Sequence, residues 1–329
     1  MRKIASVLSV VLVLAGCGEQ QPSRPFDDVY RELVSLNSWL KESNQISSAH
    51  SYLPFSDEYL AKRHALYQEL RSIQHTNELD YLIIDERFPQ RYLPWLIQSD
   101  IAKQLSLQTK ERKGQWFNLV LTRLKAAQES KIKLTRLELD TLVRFLTLEV
   151  QNGSEANSLL SYLSDYEPRT RNGLDQFPNG SEWYQSKLNY FSSDVKTPLE
   201  WMQQVTTKHA DGSPSKMLAM RFNDVDSPLV LQTLSSQCKL VEGLDWQFDY
   251  LNPVLTSQQC SIEFNNNERA FWLTLMHLDV GIHYQGWNRA LAQQFLASRF
   301  SDYDEQVALK IIDQIGMYPA TVFVFWHKT

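Results

Sequence analysis

The 329-residue chain is poor in the residue types on which most recognisable chemistry is built, with three cysteines, seven histidines and eleven glycines. No histidine is followed by glutamate: the next residues are Ser51, Ala65, Thr76, Ala210, Leu278, Tyr284 and Lys328. That excludes HExxH, in which two histidines one helical turn apart bind zinc and the glutamate is the general base. GxSxG, a P-loop and GxGxxG are absent too. The Gly-Ser pairs at Gly153, Gly180 and Gly212 read as loop chemistry. No CxxC or Cys–His cluster occurs, so neither a metal nor a cofactor is expected. No basic run or patch appears, and nucleic acid is not an expected partner. Beyond Cys17 no apolar stretch approaches the roughly 20 residues a membrane helix needs.

What is present begins at the N-terminus. Arg2 and Lys3 precede an apolar run from Ile4 to Ala15, broken only by Ser6 and Ser9, and then Leu14-Ala15-Gly16-Cys17. Charge, a short apolar run and two small residues before a cysteine form the pattern of a secretory signal ending in a lipobox. Residues 1–16 are expected to be removed and Cys17 to be lipidated, anchoring the chain to a membrane; multiple acyl chains hold it stably. Removal of Arg2 and Lys3 takes the net charge from −5 to −7. Residues 17–25 are polar and proline-bearing, as suits a tether. By resemblance to other bacterial lipoproteins, Gly18 in place of aspartate points to the outer membrane and its periplasmic face. The other two cysteines, Cys238 and Cys260, are an even pair in an oxidising compartment, and a disulfide is the expected state.

The fold class expected is mainly α, a multi-helix globular domain with a small β-containing insert near residues 216–264. Val29, Leu33, Leu36 and Leu40 recur at helical steps, and Ser56 with Asp57 and Glu58 opens a second helix running to about Ile73. Further helices are predicted over 115–128 and 135–150, the latter with Leu139, Leu142, Val143, Leu146 and Val150 on one face. Thr197-Pro198-Leu199-Glu200 carries a cap, a proline at the first helical position and a capping box. Residues 164–182, rich in turn formers, read as a surface segment or hinge. Alternation around Met217–Phe222, Trp246–Tyr250 and Cys260–Phe264 suggests short strands, with Asn252-Pro253 as a turn. From Asn267 the chain turns helical, with helices at Arg269–His283, 288–300 and 303–315. The domain reading is an N-terminal helical region, 26–150, and a C-terminal one, 151–329, which can also form one continuous domain.

Two segments carry a family likeness. One holds Gly173-Leu174, Phe177-Pro178-Asn179-Gly180, Trp183-Tyr184, Leu188 and Thr197-Pro198-Leu199-Glu200. The other holds Arg269, Leu278-Asp279-Val280-Gly281-Ile282-His283, Gly286-Trp287 and Tyr318-Pro319-Ala320. Together they resemble the domain-of-unknown-function 885 family, helical bacterial proteins, often lipoproteins, with a zinc-peptidase-like site. In that family the segments flank a region bearing HExxH; here only residues 202–268 lie between them, and the family's Pro-Gly-Gln ending reads Pro319-Ala320-Thr321. The resemblance implies a shortened member without the metal centre.

Candidate pocket residues are therefore Asn179, Trp183, Tyr184, Asp279, His283 and Trp287. Asp279 and His283, four apart on one helix face, read either as a charge-coupled pair acting on a substrate or as a buried polar pair that orients the helix. Trp183 and Tyr184 read as cleft lining or as core. His277 lies on a different face from His283. The leading expectation is a non-catalytic binding or scaffold lipoprotein facing the periplasm, whose partner is an envelope protein, a small molecule or a peptide. The alternative is a metal-independent hydrolase using Asp279, His283 and Tyr184. A structural subunit of an envelope assembly is the third. Whether Trp183, Tyr184, Asp279 and His283 meet in one open pocket separates these.

Overall fold

Helix starts in this chain are written locally, and most are closed by a side-chain cap. A computed structural model describes residues 24–38, 52–53, 55–88, 109–149, 154–209, 216–217, 228–244 and 251–329. The first helices are α1 (Phe26–Ser38), α2 (Asp57–Ile73), α3 (Asn77–Asp85), α4 (Lys110–Glu129), α5 (Arg136–Glu149) and α6 (Ser154–Ser164). A 3₁₀ turn, Leu174–Gln176, leads into α7 (Gly180–Ser192) and α8 (Pro198–Lys208). Then follow α9 (Leu229–Gln237), α10 (Pro253–Gln259), α11 (Asn266–His283), α12 (Arg289–Arg299), α13 (Glu305–Met317) and a final 3₁₀ helix, Thr321–Lys328. Ser56, Thr76 and Thr109 cap α2, α3 and α4 by accepting a backbone N–H three residues on. The capping box at Thr197 and Glu200 is formed, and Asn265 with Glu268 makes a second at α11.

The centre of the molecule is α11. Nearly every side chain from Phe271 to His283 is buried, the mark of a helix enclosed on all sides. It packs on α8, α12, α13 and the final 3₁₀ helix, which in turn lies along α7. Trp201 of α8 meets Phe323 at 5.2 Å, and Trp272 of α11 meets Phe325 at 4.5 Å between ring centroids. One hydrophobic cluster runs from Val29 to Trp326. Among the described residues no single helix is long and apolar enough to cross a membrane.

Three expectations need correction. The described residues of 216–264 contain one isolated bridge, Glu242 to Leu251, and no strand; they are chiefly the helices α9 and α10. Residues 218–227 and 245–250, where two of the strands were expected, lie outside the described residues. Asn252-Pro253 is a helix start rather than a turn: Asn252 accepts the Leu255 N–H and Pro253 sits at the first helical position. Residues 164–182 do not run over the surface alone, because Tyr166, Gly173, Leu174, Phe177 and Gly180 are buried. Arg24 forks onto Glu69 at 2.8 Å and Glu32 at 2.5 Å, which links it to α2 and α1.

Cys238 and Cys260 are joined by a disulfide, with Cα atoms 5.8 Å apart. The bond ties the end of α9 to the end of α10 across a separation of 22 residues. For a loop of this size the chain-entropy estimate gives a contribution of about 3 kcal/mol. Reduction, or serine at both positions, is expected to lower the urea midpoint by that amount of stability. Unchanged midpoints with and without reductant would show that the bridge carries none of it.

Candidate functional site

The two family-like segments, far apart in sequence, meet in one junction between the Leu174–Gln176 turn, α7, the end of α11 and the turn before the final 3₁₀ helix. Its geometry begins with two glycines. A Cβ on Gly180 would stand 1.7 Å from the Leu174 carbonyl oxygen, and one on Gly173 would stand 2.1 Å from the Ile282 carbonyl oxygen. Both positions bring backbone against backbone, so that α7 and α11 close around the turn. Asn179, exposed and left-handed at φ 56°, supplies the bend that starts α7 and makes no side-chain cap bond. Trp287 is half-buried, its backbone N–H donates to the Gly281 carbonyl at 2.9 Å, and its ring lies 5.1 Å from Phe295.

Tyr184, Asp279 and His283 are fully enclosed. The Tyr184 hydroxyl donates to Asp279 Oδ1 at 2.5 Å, and the Ala320 N–H donates to Oδ2 at 2.9 Å and Oδ1 at 3.1 Å. Burial with no cation nearby pushes the Asp279 carboxyl up to about 8, partly offset by these two donors. The Tyr184 phenol is also raised, by burial and then by Asp279. His283 Nδ1 accepts the Leu174 N–H at 3.3 Å, while Nε2 sits 2.8 Å from the Ile315 carbonyl and therefore carries the proton. Burial lowers His283 to about 3, so the ring is neutral at ordinary pH. Asp279 and His283 share a helix face but spend their hydrogen bonds on different partners, not on each other. The buried-polar reading of these residues fits the geometry. They meet in a sealed junction, and no open pocket joins them.

Trp183 belongs to a second buried cluster. Its indole N–H donates to Asp85 Oδ1 at 2.6 Å, and Lys187 Nζ donates to the same oxygen at 3.0 Å and to the Tyr81 hydroxyl at 2.9 Å. The Lys187 ammonium also lies 4.9 Å from the Trp183 ring centre. Sequence reading missed Asp85 and Lys187, since neither stands in a motif and 102 residues separate them.

An open concavity among the described residues lies elsewhere. A cleft of about 500 Å³ runs between α3, the end of α7 with the following Ser193–Val195 turn, and the start of α10. Its floor carries Tyr81 and Tyr190, stacked at 4.2 Å and nearly parallel, and Asn252, which is 1% exposed. None of the sequence candidates lines it. The available signal was Asn252 before Pro253, read as a turn when the same pair equally marks a helix start. Cys17 lies outside the described residues. Among the described residues no three His, Cys, Asp or Glu side chains gather as a metal-binding group. No protein-family model, curated protein or solved structure matches the chain.

Proposed function

We propose that this chain is a membrane-anchored bacterial lipoprotein that binds or scaffolds rather than catalyses, derived from a zinc-peptidase-like fold of the kind its two segments resemble. Support for the anchor is the lipobox ending in Cys17. The observation that carries the non-catalytic reading is the state of the motif junction: Tyr184, Asp279 and His283 have no solvent exposure, and their polar atoms are held by protein groups. A general acid or base needs reach to a reacting atom, and these side chains reach only each other's scaffolding. Gly18 after Cys17 supports a location at the periplasmic face of the outer membrane, and the partner proposed there is an envelope protein, a small molecule or a peptide.

Metabolic labelling with a palmitate analogue tests the anchor. Label is expected on the wild-type chain and not on Cys17→Ala, which should accumulate as the unprocessed precursor. Incubation of the purified chain with a peptide library tests the other half. Hydrolysis that is lost in His283→Gln while the fold is retained would overturn the non-catalytic reading.

A further inference from the structure

We infer that the cleft between α3, α7 and α10 receives a short aliphatic peptide segment without net negative charge, whose backbone carbonyl accepts a hydrogen bond from Asn252 Nδ2. The inference deepens the binding reading above and rests on it. Three observations point to this occupant.

The first is a donor in want of an acceptor. Asn252 Oδ1 accepts the Leu255 N–H at 2.9 Å and faces the Tyr190 hydroxyl at 3.4 Å, which fixes the orientation of the amide. Its Nδ2 is buried without a hydrogen-bond partner. A buried donor left in this state is costly, and a carbonyl oxygen entering the cleft relieves it. Helix capping uses only the oxygen, so the free NH₂ has no part in holding α10.

The second is the apolar rim. Ile84, Val195 and Leu255 all line this cleft and are exposed by 40%, 82% and 37%. They come from three separate elements, so their convergence on one opening is a tertiary feature. Isolated exposed aliphatics need no explanation, whereas a rimmed apolar cluster over a concavity marks a binding surface. Aliphatic side chains of a peptide cover such a rim; a sugar ring does not.

The third is charge. Glu78, Asp80 and Asp194 line the cleft, and no Lys or Arg does. Asp80 pairs with Arg71 at 2.7 Å and His75 at 2.8 Å, and Asp194 pairs with Lys196, so the carboxylates are partly compensated from outside. An anionic ligand still finds no cation in the lining, while a neutral or basic peptide meets no repulsion. The volume of about 500 Å³ lies in the range of small-ligand sites and suits a short peptide segment rather than a folded partner surface.

Calorimetric titration of the purified full chain tests this with the blocked peptide acetyl-Leu-Ala-Lys-Leu-amide, its counterpart with glutamate for lysine, and maltose. One-to-one binding of the lysine peptide is expected, with the glutamate peptide weaker by about tenfold or more and maltose inert. Asn252→Asp keeps the helix cap and the shape while removing the donor. Its added negative charge alone favours the lysine peptide, so a loss of about tenfold reports the missing hydrogen bond. Val195→Ser, on an exposed side chain that the fold does not need, should weaken binding about threefold. Binding of neither peptide, binding indifferent to Asn252→Asp at unchanged Tm, or binding of maltose in their place would overturn the inference. Mass spectrometry of the recovered peptide keeps the two readings apart: a cleaved peptide sinks the non-catalytic reading, and an intact unbound one sinks only the assignment of the cleft.

Discussion

Alanine at Gly180 is expected to cost at least about 3 kcal/mol of stability, the upper part of the range for overpacking a buried site. The new Cβ would stand 1.7 Å from the Leu174 oxygen and 2.7 Å from its carbonyl carbon, and both are backbone atoms that no rotamer change moves aside. Relief requires α7 to withdraw from the turn, which separates Tyr184 from Asp279 and leaves a buried carboxyl short of a donor. Gly114 provides the contrast. A Cβ there meets the end of the Glu155 side chain at 3.2 Å, and alanine is the better helix former within α4. Gly114→Ala is expected to change stability by less than about 1 kcal/mol, in the favourable direction. Urea denaturation of both variants decides the matter; similar midpoints for the two would refute the backbone-contact account of the junction.

Stability should peak near pH 6.5 and decline on the alkaline side, with Asp279 responsible for that decline. Its carboxyl is raised from 3.8 to about 8, so the folded state holds a proton that the unfolded chain releases. The associated stability is fully present below 3.8 and is lost as pH rises towards 8. His283 and His277 are lowered by burial to about 3 and about 4, and His209 is lowered as well. Their stability is complete above 6.5 and is lost as pH falls, because unfolding lets them take up protons. Between pH 4 and 6.5 the histidines outweigh the single carboxyl. Above 6.5, of these four groups only Asp279 still titrates, at about 1.4 kcal/mol per pH unit. A loss of about 2 kcal/mol from pH 6.5 to 8 follows. Asp279→Asn should flatten that limb, whatever constant offset the substitution introduces. Parallel alkaline limbs in wild type and variant would show that the carboxyl is ionised throughout.

Features encoded within a few residues could be read from the sequence. The Thr197-Pro198-Glu200 start of α8 needs only local backbone donors, and it forms as expected. The cysteine pair needed only parity and compartment, and the bridge is present. The predominance of helix followed from apolar spacing, and the predicted helix at 135–150 is observed as Arg136–Glu149. Burial of the motif was beyond reach in sequence, because Tyr184, Asp279 and Ala320 acquire their environment only when α7, α11 and the last turn assemble. The spacing of Asp279 and His283 correctly placed them on one face but said nothing about partners, which come from other elements. The turn expected at Asn252-Pro253 failed for a physical reason: asparagine and proline punctuate turns and begin helices by the same local geometry. The cleft escaped altogether, since its rim is assembled from Ile84, Val195 and Leu255, which no pattern in the sequence connects.

The junction also governs how the chain reaches its native state. Its hydrogen bonds span 95 residues from Tyr184 to Asp279 and 109 from Leu174 to His283, and the second buried cluster spans 98 from Asp85 to Trp183. Loops of that length must close before any of these polar groups finds its partner, so their entropy is lost ahead of the compensating contacts. Local helices such as α8 can form early, but the central helix α11 has no satisfied place until α8, α12, α13 and the final 3₁₀ helix pack around it. Contacts of such high order make for slow assembly and a late barrier. For the whole of that interval the apolar faces of α7, α11 and the final 3₁₀ helix stay open to contact with other chains, so the hazard of aggregation is set by topology rather than by final stability.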